Sequence, residues 1–415
     1  MKKLLITLLL LVSVAASLFA YTSFPDFFYP STSFRPISPR VEAMGGAGLA
    51  TVKGADAFFW NPANLSSKQF TLNLPSVGVS LYNPKAIIDS GIIEKIQEDG
   101  NMQTIPIDYF KIVTAGDGEI LTTDLAFSLS GGGFGFGVQV QEALHTTSFD
   151  GQLANDKIIA EVNLGAALGL GFRFNVIPKW LSIDAGVTAR LSYKAYTNRI
   201  GASELISLFD EDGGDPLQTI LKDQRLAAGV AMPIDIGVNL NLPIGLRVSA
   251  VARDINATYS MINYKHAGTW LNEIMALVGA EDLYTGDEGD LDEFTVTVPW
   301  KLDFGIGWTP HLGSLSRLLQ PSIALDFVDM AKLLENPEEN QNAFLDHMRV
   351  GAELKLFSMV DLRAGLNRGY MSVGVGLDLF VFHIDAAYYW REAGTDIGDK
   401  PMDALSLRFN LGFDR

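Results

Sequence analysis

Residues 181–194 decide the fold, and they read Leu-Ser-Ile-Asp-Ala-Gly-Val-Thr-Ala-Arg-Leu-Ser-Tyr-Lys. Every second residue is apolar and the residues between them are polar or small, which is the period of a β-strand with two different faces. The stretch exceeds the usual length of a soluble strand, about 5–6 residues. It is long enough to cross a bilayer as a tilted strand, which takes about 9–11 residues. This segment therefore predicts a transmembrane strand.

The same alternation recurs along most of the chain. Candidate strands cover 70–82, 121–130, 133–147, 158–175, 180–196, 226–242, 246–260, 294–309, 320–330, 347–357, 361–367, 371–379, 381–391 and 403–413. An even number of strands, with short turns at one end and long loops at the other, is typical of a bacterial outer-membrane barrel. A soluble β-sandwich or propeller also alternates, but strands of this length with an aromatic face favour lipid. We predict an all-β, transmembrane antiparallel β-barrel of about 14 strands.

Composition excludes several classes of protein. The 415 residues carry a net charge of −17, and 48% of them are hydrophobic, so the chain is neither disordered nor built to bind nucleic acid. Cysteine is absent, which excludes disulfides, thiolate metal sites and a lipidated cysteine. The five histidines have no metal-ligand spacing, and no catalytic motif is present. We expect no enzyme activity, cofactor, metal ion or nucleic-acid partner.

The first 20 residues have the pattern of a cleavable export signal. Two lysines follow Met1, an apolar run extends to about Val14, and small residues come next. Cleavage after Ala20 is the first choice and cleavage after Ser17 is the alternative. No later apolar run is long enough for a spanning helix, so we expect a protein exported to the outer membrane.

Residues 21–66 do not alternate and are rich in aromatic side chains, prolines and glycines. Prolines and clustered glycines interrupt regular elements, whereas the aromatic side chains need burial. The lumen of the barrel offers that burial. We therefore predict a signal peptide at 1–20, an N-terminal hatch (plug) at 21–66 and a barrel at 67–415, with long loops at about 197–224, 261–293 and 331–346.

Several residues of this segment resemble the hatch of the FadL/TodX outer-membrane transporter family, and equally the spirochaetal FadL-like and PorV-like barrels. They are the stretch Arg40–Ala50, the acidic Asp56 and the triplet Asn61-Pro62-Ala63. A dinucleotide-binding loop is a poor alternative, because the third glycine of that motif and a preceding strand are missing. The hatch motif comprises Met44, Gly45, Gly46, Gly48, Asn61, Pro62 and Ala63.

The resemblance implies a fourteen-stranded barrel with an N-terminal hatch and passive uptake of long-chain fatty acids or other hydrophobic compounds. In that family the ligand enters an extracellular groove and then an apolar pocket in the lumen. It leaves sideways through an opening at an inward kink of the third strand. The partners implied are a long-chain fatty acid or hydrophobic small molecule and outer-membrane lipid, and we expect a monomer.

Glycines in the third candidate strand have two interpretations. Gly133, Gly135 and Gly137 lie where a kink and lateral opening would form, because glycine within a strand marks a bend or a bulge. Alternatively, small inward residues make room for hatch side chains. Both interpretations are open on the sequence.

Two loops carry apolar residues at helical spacing. These residues are Leu205, Ile206 and Phe209 in one loop and Leu271, Ile274 and Met275 in the next. They can form an external hydrophobic groove for ligand capture, or they can pack together as a lid. Acidic stretches within these loops do not fit the calcium-loop register and are interpreted as solvated.

Charged residues also fall on the inward parity of the strands. They are Asp184, Arg190, Lys194, Arg247, Arg253, Asp326 and Asp385. A polar wall of mutually paired groups is the first interpretation, and an arginine or lysine that binds the carboxylate of a fatty acid is the sharper one. The predicted function is uptake of hydrophobic molecules through a plugged barrel with a lateral exit. The alternative is a PorV-like accessory barrel that binds a protein partner in secretion or surface attachment.

Overall fold

The structure is a computed structural model of the chain. It describes residues 34–67, 69–91, 118–146, 157–198, 200–201, 221–277, 279–287, 289, 291–331, 343–392, 397–398 and 401–414. The predicted signal peptide, the first residues of the predicted hatch and Leu205, Ile206 and Phe209 lie outside the described residues.

Fourteen antiparallel strands form one closed sheet. They are β1 (Thr71–Tyr82), β2 (Gly118–Gly131), β3 (Phe134–Thr146), β4 (Lys157–Ile177), β5 (Leu181–Thr197), β6 (Leu226–Ala231 and Ile234–Asn241), β7 (Leu246–Ile255 and Thr258–Tyr264), β8 (Leu291–Thr297 and Lys301–Trp308), β9 (Leu319–Phe327), β10 (Met348–Leu356), β11 (Val360–Asn367), β12 (Tyr370–Leu379), β13 (Phe382–Glu392) and β14 (Pro401–Asp414). The pair Ile200–Gly201 extends β5 along β4. Each strand pairs with the next, and β14 pairs with β1, where Ser406 lies opposite Ser80. The predicted barrel is confirmed.

The helices are short and lie within the hatch or in the connections. The α-helices are α1 (Pro39–Ala43), α2 (Ala57–Trp60), α3 (Pro84–Asp89), α4 (Ala267–Leu277) and α5 (Ala343–His347), and the 3₁₀-helices are Gly54–Asp56, Pro62–Ser66, Pro243–Gly245 and Gly313–Arg317. Among the described residues, no helix has the length and apolar character needed to cross a membrane.

The two faces of the wall have opposite chemistry. On the outside, large apolar side chains are exposed, for example Phe172 at 55% and Phe174 at 57%. On the inside, polar side chains such as Asp184 and Thr188 are fully buried at 0% exposure. A continuous apolar outer surface is unfavourable in water, and a lipid-facing sheet must close because hydrocarbon satisfies no free strand edge. The barrel is therefore of the outer-membrane type.

The two ends of the barrel differ in their connections. Short turns join β2 to β3, β4 to β5, β6 to β7, β10 to β11 and β12 to β13, and this end is called the short-turn end. Most connections at the other end are longer, including those that follow β1, β5 and β7, and it is called the long-loop end. In outer-membrane barrels the long loops face outward and the short turns face the periplasm.

Residues 34–66 of the predicted hatch contact the inner face of the barrel wall. Inward glycines of several strands allow its backbone to approach the wall. A Cβ atom at Gly186 of β5 would lie 2.3 Å from the carbonyl of Pro62, and one at Gly365 of β11 would lie 2.2 Å from the nitrogen of Gly45. Any larger side chain at these positions would displace the hatch.

Helix α4 packs on the outside of the wall. Leu271 and Met275 are buried at 3% and 5% exposure, and Ile274 packs against the same cluster. Their neighbours include Ala195 and Ala228, which are opposite each other on the outward parity of β5 and β6. The predicted external groove is thus corrected for these three residues, because packing on the wall uses the apolar face of the helix.

Candidate functional site

The triplet Asn61-Pro62-Ala63 makes a rigid corner at the centre of the hatch. The Asn61 side chain accepts a hydrogen bond from the backbone nitrogen of Ala63 and so caps the 3₁₀-helix that begins at Pro62. The same amide donates to the Leu49 carbonyl at 2.9 Å and to Asn239 of β6 at 2.7 Å. Asn61 therefore joins two parts of the hatch to the wall.

The glycines of the hatch motif end helix α1. Gly45 and Gly46 have φ angles of 66° and 81°, in the left-handed region that glycine adopts without cost after a helix. A Cβ atom at Gly46 would lie 3.3 Å from the side chain of Arg349 on β10. Met44, which precedes them, is buried at 1% exposure.

Buried carboxylates of the wall hold the backbone of the hatch. Asp326 of β9 accepts hydrogen bonds from the nitrogens of Gly48 at 2.6 Å and Leu49 at 2.9 Å. Asp124 of β2 accepts one from the nitrogen of Ile37 at 2.6 Å. Hydrogen bonds to a charged acceptor are stronger than those between neutral groups, so these two carboxylates anchor the hatch firmly.

The glycines of β3 receive hatch side chains. A Cβ atom at Gly135 would lie 2.9 Å from Leu65, and one at Gly137 would lie 2.7 Å from Phe58. Gly133 lies in the turn before β3, with a φ angle of 91°. The ladder of β3 runs without a break from Phe134 to Thr146 beside β4. The geometry favours the second interpretation of these glycines, which is space for the hatch, and the described residues form no opening here.

Above the hatch, at the long-loop end, lies a cavity of about 750 Å³, here called the long-loop chamber. Its floor includes Phe34, Val41 and Trp60 of the hatch. The charged residues that line it are the basic Arg35, Arg253, Lys301, Arg349, Arg368 and Arg391 and the acidic Glu42, Glu161, Asp329 and Asp346. The resemblance implies an apolar pocket in the lumen, whereas ten of the residues that line this chamber are charged.

Three of these basic groups lack a carboxylate partner. Among the described residues, no carboxylate lies within 4.0 Å of the charged nitrogens of Lys301, Arg349 or Arg368. Arg349 donates to the backbone carbonyls of Asp346 and Met348, and Arg368 donates to that of Asp346. Carboxylates act on these groups from a greater distance, Glu42 and Asp346 on Arg349 and Asp329 on Lys301. Positive charge without a direct ion pair attracts anions, and guanidinium groups suit carboxylate and phosphate in particular.

Below the hatch, at the short-turn end, lies a second cavity of about 380 Å³, here called the short-turn chamber. Most of its charged groups pair with one another, whereas Lys53 of the hatch forms no ion pair with a described residue. Arg363 lies within 3 Å of Glu353, Asp361 and Asp385, and Lys355 bridges Asp361 and Asp378. Across the chamber Arg408 binds Asp56 of the hatch at 2.7 Å. Each acidic group that lines this chamber has a basic partner.

The turn of helix α1 contributes residues to both chambers. Arg40 of α1 lines the short-turn chamber, whereas the next two residues, Val41 and Glu42, line the long-loop chamber. Arg40 forms a two-point contact with Glu353, at 2.7 and 2.9 Å. Burial alone would lower the pKa of Arg40, but the charge of Glu353 raises it above its usual value. The ion pair therefore holds this turn in place.

Burial perturbs two other titratable groups of the hatch. It raises the pKa of Glu42, and the guanidinium groups of Arg391 and Arg349 oppose this shift only in part. Burial and the charge of Arg40 lower the pKa of Lys53. Glu42 is thus easier to protonate than an exposed glutamate, and its protonation would add to the positive charge of the long-loop chamber.

The inward charges singled out in the sequence are mainly structural. Arg190 binds Asp235 and Asp254 at 2.9 and 2.6 Å, and Lys194 binds Glu161 at 3.0 Å. The basic groups of the long-loop chamber without a carboxylate partner, Lys301, Arg349 and Arg368, were not among the predicted ligands. Arg349 lies inward at the long-loop end of β10, and Lys301 lies inward just after the bend of β8. The inward parity of both residues is the signal that would have found them.

Among the described residues, no group of three or more histidine, aspartate and glutamate side chains is placed to hold a metal ion.

No protein-family model matches the chain, and no curated protein matches it. Solved structures do match. The CymD monoaromatic hydrocarbon channel is 12% identical, covers 91% of this chain and 97% of its own, and has a TM-score of 0.46. The toluene transporter TbuX of Ralstonia pickettii is 14% identical, with 91% and 98% covered and a TM-score of 0.42. A Pseudomonas aeruginosa FadL homologue is 12% identical, with 90% and 97% covered and a TM-score of 0.38.

With TM-scores below 0.5, these likenesses do not identify what the chain binds. Its own closed ladder and its filled lumen define the fold. The fourteen strands agree with the number that the resemblance implied.

Proposed function

We propose that this chain is an outer-membrane barrel for passive uptake of small amphipathic molecules that carry an anionic headgroup, with long-chain fatty acids as the leading candidates. Support comes from the long-loop chamber, which places Lys301, Arg349 and Arg368, three basic groups without carboxylate partners, above a hatch that closes the lumen. The structures it resembles include a monoaromatic hydrocarbon channel and a toluene transporter, which handle apolar molecules. Because the long-loop chamber is charged, we propose that the ligand of this chain also carries an anionic headgroup.

In this mechanism the ligand enters from the long-loop end and its carboxylate exchanges water for the basic groups of the chamber. Binding needs no cofactor or energy source, because the solute moves down its concentration gradient. The hatch prevents free diffusion of other solutes. Export to the outer membrane through the signal at residues 1–20 belongs to the same proposal.

The test is binding of palmitate to delipidated, refolded protein, measured by native mass spectrometry. Hexadecanol, which has the same chain length without the charge, is the matched control ligand. Saturable binding of palmitate that is much tighter than that of hexadecanol is the expected result. Equal affinity for palmitate and hexadecanol would contradict the proposal that the site recognises an anionic headgroup. Binding of neither, together with co-purification of a secretion component, would favour the accessory barrel instead.

The hatch variant Asn61→Ala with Pro62→Ala belongs in the same experiment. Asn61 joins the hatch to Leu49 and Asn239, so its loss loosens the floor of the chamber without removing a basic group. We expect the variant to fold as a barrel and to bind palmitate with altered stoichiometry or affinity. Unchanged binding would show that the hatch does not shape the binding site.

A further inference from the structure

We infer that the connections at the short-turn end form a lipid-binding rim, which inserts into the headgroup layer of the periplasmic leaflet and prefers anionic phospholipids there. This surface lies outside the lumen, so the inference does not depend on the ligand of the proposed function. The exposed side chains, the backbone and the charge of these connections support it.

The connections at the short-turn end expose large apolar side chains. All six connections there are described, and five of them carry such a residue. Trp180 between β4 and β5 is 69% exposed, Ile244 between β6 and β7 is 76% exposed, and Phe380 between β12 and β13 is 87% exposed. Leu315 between β8 and β9 and Phe357 between β10 and β11 complete the set, here called the rim tips. Turns that face water are usually polar, so these side chains indicate an apolar neighbour outside the chain.

The backbone holds three of the rim tips in a conformation that favours glycine. The φ angle is 64° at Ile244, 52° at Phe357 and 60° at Phe380. This left-handed region disfavours bulky residues, and most of all a β-branched one such as Ile244, whereas glycine or asparagine enters it more easily. Strained backbone is found mainly at functional sites. Exposed apolar side chains at strained positions therefore favour a contact that the folded chain alone does not supply.

Backbone hydrogen bonds join neighbouring connections of the rim. The nitrogen of Thr309, between β8 and β9, donates to the carbonyl of Gly245, between β6 and β7, at 2.9 Å. The nitrogen of Phe357 donates to the carbonyl of Leu318, also at 2.9 Å, which joins the next two connections. The rim tips of these three connections are therefore held in a fixed arrangement.

The rim continues the lipid-facing surface of the wall. Leu379 and Phe382, which flank the β12–β13 turn, are 40% and 43% exposed, so the apolar surface extends from both strands onto Phe380. Trp308, exposed at the short-turn end of β8, donates its indole nitrogen to the carbonyl of Ile244 at 3.1 Å. Tryptophan at this level is typical of the lipid headgroup region of membrane proteins. Lipid is therefore the occupant with which the rim is already continuous.

The distribution of the rim tips also favours lipid over a docked protein. They come from five connections that extend along the barrel from β4 to β13, and only the glycine turn between β2 and β3 lacks one. A docked protein covers one patch of a surface, whereas a lipid layer surrounds a barrel. A rim of separate apolar tips fits the surrounding layer.

The charge of the rim is opposite to that of the whole chain. The chain has 48 acidic residues and a net charge of −17, yet the six connections contain no aspartate or glutamate. Their charged residues include the basic Lys179 and Arg317, both exposed. Carboxylates near this end, such as Asp361 and Asp378, line the short-turn chamber inside the barrel, and Asp414 ends β14. Basic side chains beside an apolar surface attract anionic headgroups, so the rim favours an anionic phospholipid.

The first test measures where the rim lies, and it uses the absence of native cysteine. Phe380→Cys carries a fluorophore on a rim tip, Val375→Cys on the lipid-facing outer face of β12, and Asp282→Cys in an exposed long loop. Each full-length variant is refolded into phosphatidylcholine vesicles, and quenching by brominated lipid is compared with quenching by iodide present on both sides. We expect brominated lipid to quench the labels of Phe380→Cys and Val375→Cys, and iodide to quench that of Asp282→Cys.

Iodide quenching of the Phe380→Cys label as strong as that of the Asp282→Cys label would overturn the inference. The rim would then face water, as a surface for a periplasmic protein would.

The second test measures the preference for anionic lipid with the same Phe380→Cys label. The vesicles are equimolar phosphatidylcholine and phosphatidylglycerol, with bromine on one lipid or on the other. We expect brominated phosphatidylglycerol to quench about threefold more strongly at low salt, because basic side chains near a membrane surface attract anionic lipid. Equal quenching by the two lipids would overturn the preference.

Two double variants in the Phe380→Cys background assign this preference to the rim. Lys179→Gln with Arg317→Gln is expected to abolish the preference for phosphatidylglycerol. Lys85→Gln with Lys265→Gln removes two exposed lysines from the long-loop end and changes the net charge equally, so it is expected to keep the preference. The reverse result would place the anionic lipid site away from the rim.

The third test removes rim tips without straining the backbone. Ile244→Asn with Phe357→Asn is expected to fold, because asparagine tolerates the left-handed region, and circular dichroism checks the β-sheet content. We expect quenching of the Phe380→Cys label by brominated lipid to fall and quenching by iodide to rise. Unchanged quenching by both would show that the rim tips do not hold the rim in the membrane.

Discussion

The two chambers of the lumen use the same residue types for different purposes. In the short-turn chamber Arg363 forms ion pairs with Glu353, Asp361 and Asp385. These pairs neutralise its charge and join neighbouring strands of the wall. In the long-loop chamber Lys301 and Arg349 have no carboxylate within 4.0 Å among the described residues. An arginine in a barrel lumen is therefore not a ligand site by itself. An arginine can bind an anionic ligand only where the fold has not already placed a carboxylate in an ion pair with it.

Helix α1, which contributes residues to both chambers, is the most sensitive part of this comparison. Arg40→Ala removes the two-point contact with Glu353 and leaves that carboxylate with Arg363. Breaking one side of a buried ion pair typically costs about 3–5 kcal/mol, and the partial exposure of this pair puts the expected cost at the lower end. We expect the two chambers to join and single-channel conductance in planar bilayers to rise strongly.

The control for this variant is Arg173→Ala. This substitution breaks the ion pair between Arg173 of β4 and Asp184 of β5. The pair does not contact helix α1. Its conductance is expected to match that of the wild type. Equal conductance in Arg40→Ala and wild type would show that α1 does not separate the chambers.

Two lysines offer a direct comparison of the chambers. Lys301→Met removes a basic group without a carboxylate partner from the long-loop chamber, and we expect the affinity for palmitate to fall about tenfold, or about 1.4 kcal/mol. Lys355→Met removes a lysine paired with Asp361 and Asp378 from the short-turn chamber. It is expected to lower the unfolding temperature and to leave palmitate affinity unchanged. The measurement is titration calorimetry beside thermal unfolding, and the reverse pattern would place the binding site in the short-turn chamber.

Acidification gives the smallest expected effect. Burial raises the pKa of Glu42, so as the pH falls Glu42 loses its negative charge before exposed glutamates do. Arg349 and Arg391 then lose an anionic neighbour, and binding of an anion tightens. One charge in a water-filled chamber is worth about 1 kcal/mol, or about fivefold in affinity. Dodecyl sulfonate is the probe, because it stays ionised throughout.

Glu42→Gln is the control for this titration. Other polar side chains line the chamber as well, among them His145 and His347, so the difference between wild type and Glu42→Gln isolates the carboxyl group. We expect the variant to bind dodecyl sulfonate more tightly than the wild type at neutral pH and equally at low pH. If the affinities of wild type and Glu42→Gln for dodecyl sulfonate changed in parallel at all pH values, Glu42 would not contribute to the pH dependence of binding.

Much of the fold was predictable because strand periodicity is local. All fourteen strands lie where alternation predicted them, and the bends in β6, β7 and β8 fall near Pro233, Asn256 and Pro299, residues that disfavour a continuous ladder. The hatch was predictable for a different reason, since aromatic residues among prolines need burial but cannot pair as strands. Two residues of the hatch motif, Asn61 and Gly45, lie in close contact with the wall, at Asn239 and Leu366.

The site itself was less predictable, because its chemistry depends on partners distant in sequence. Only Asp361 lies near Arg363 in the chain, and its other two carboxylate partners, Glu353 and Asp385, come from other strands. The sequence likewise does not reveal that Arg349 forms no ion pair. Leu271 and Met275 have the spacing of a groove or of a lid, and only the outer wall of β5 and β6 decides that they pack against it. The role of the β3 glycines, which is to leave space for Phe58 and Leu65, is likewise visible only in the folded chain.

By itself the sequence determined the number of strands, which face of each strand meets lipid, and the presence of a hatch, because hydrophobic periodicity and burial are properties of neighbouring residues. The tertiary structure alone decided which lumenal charges form ion pairs and where the two chambers lie. Charge balance in a closed barrel is set across the lumen, between residues that no local pattern connects.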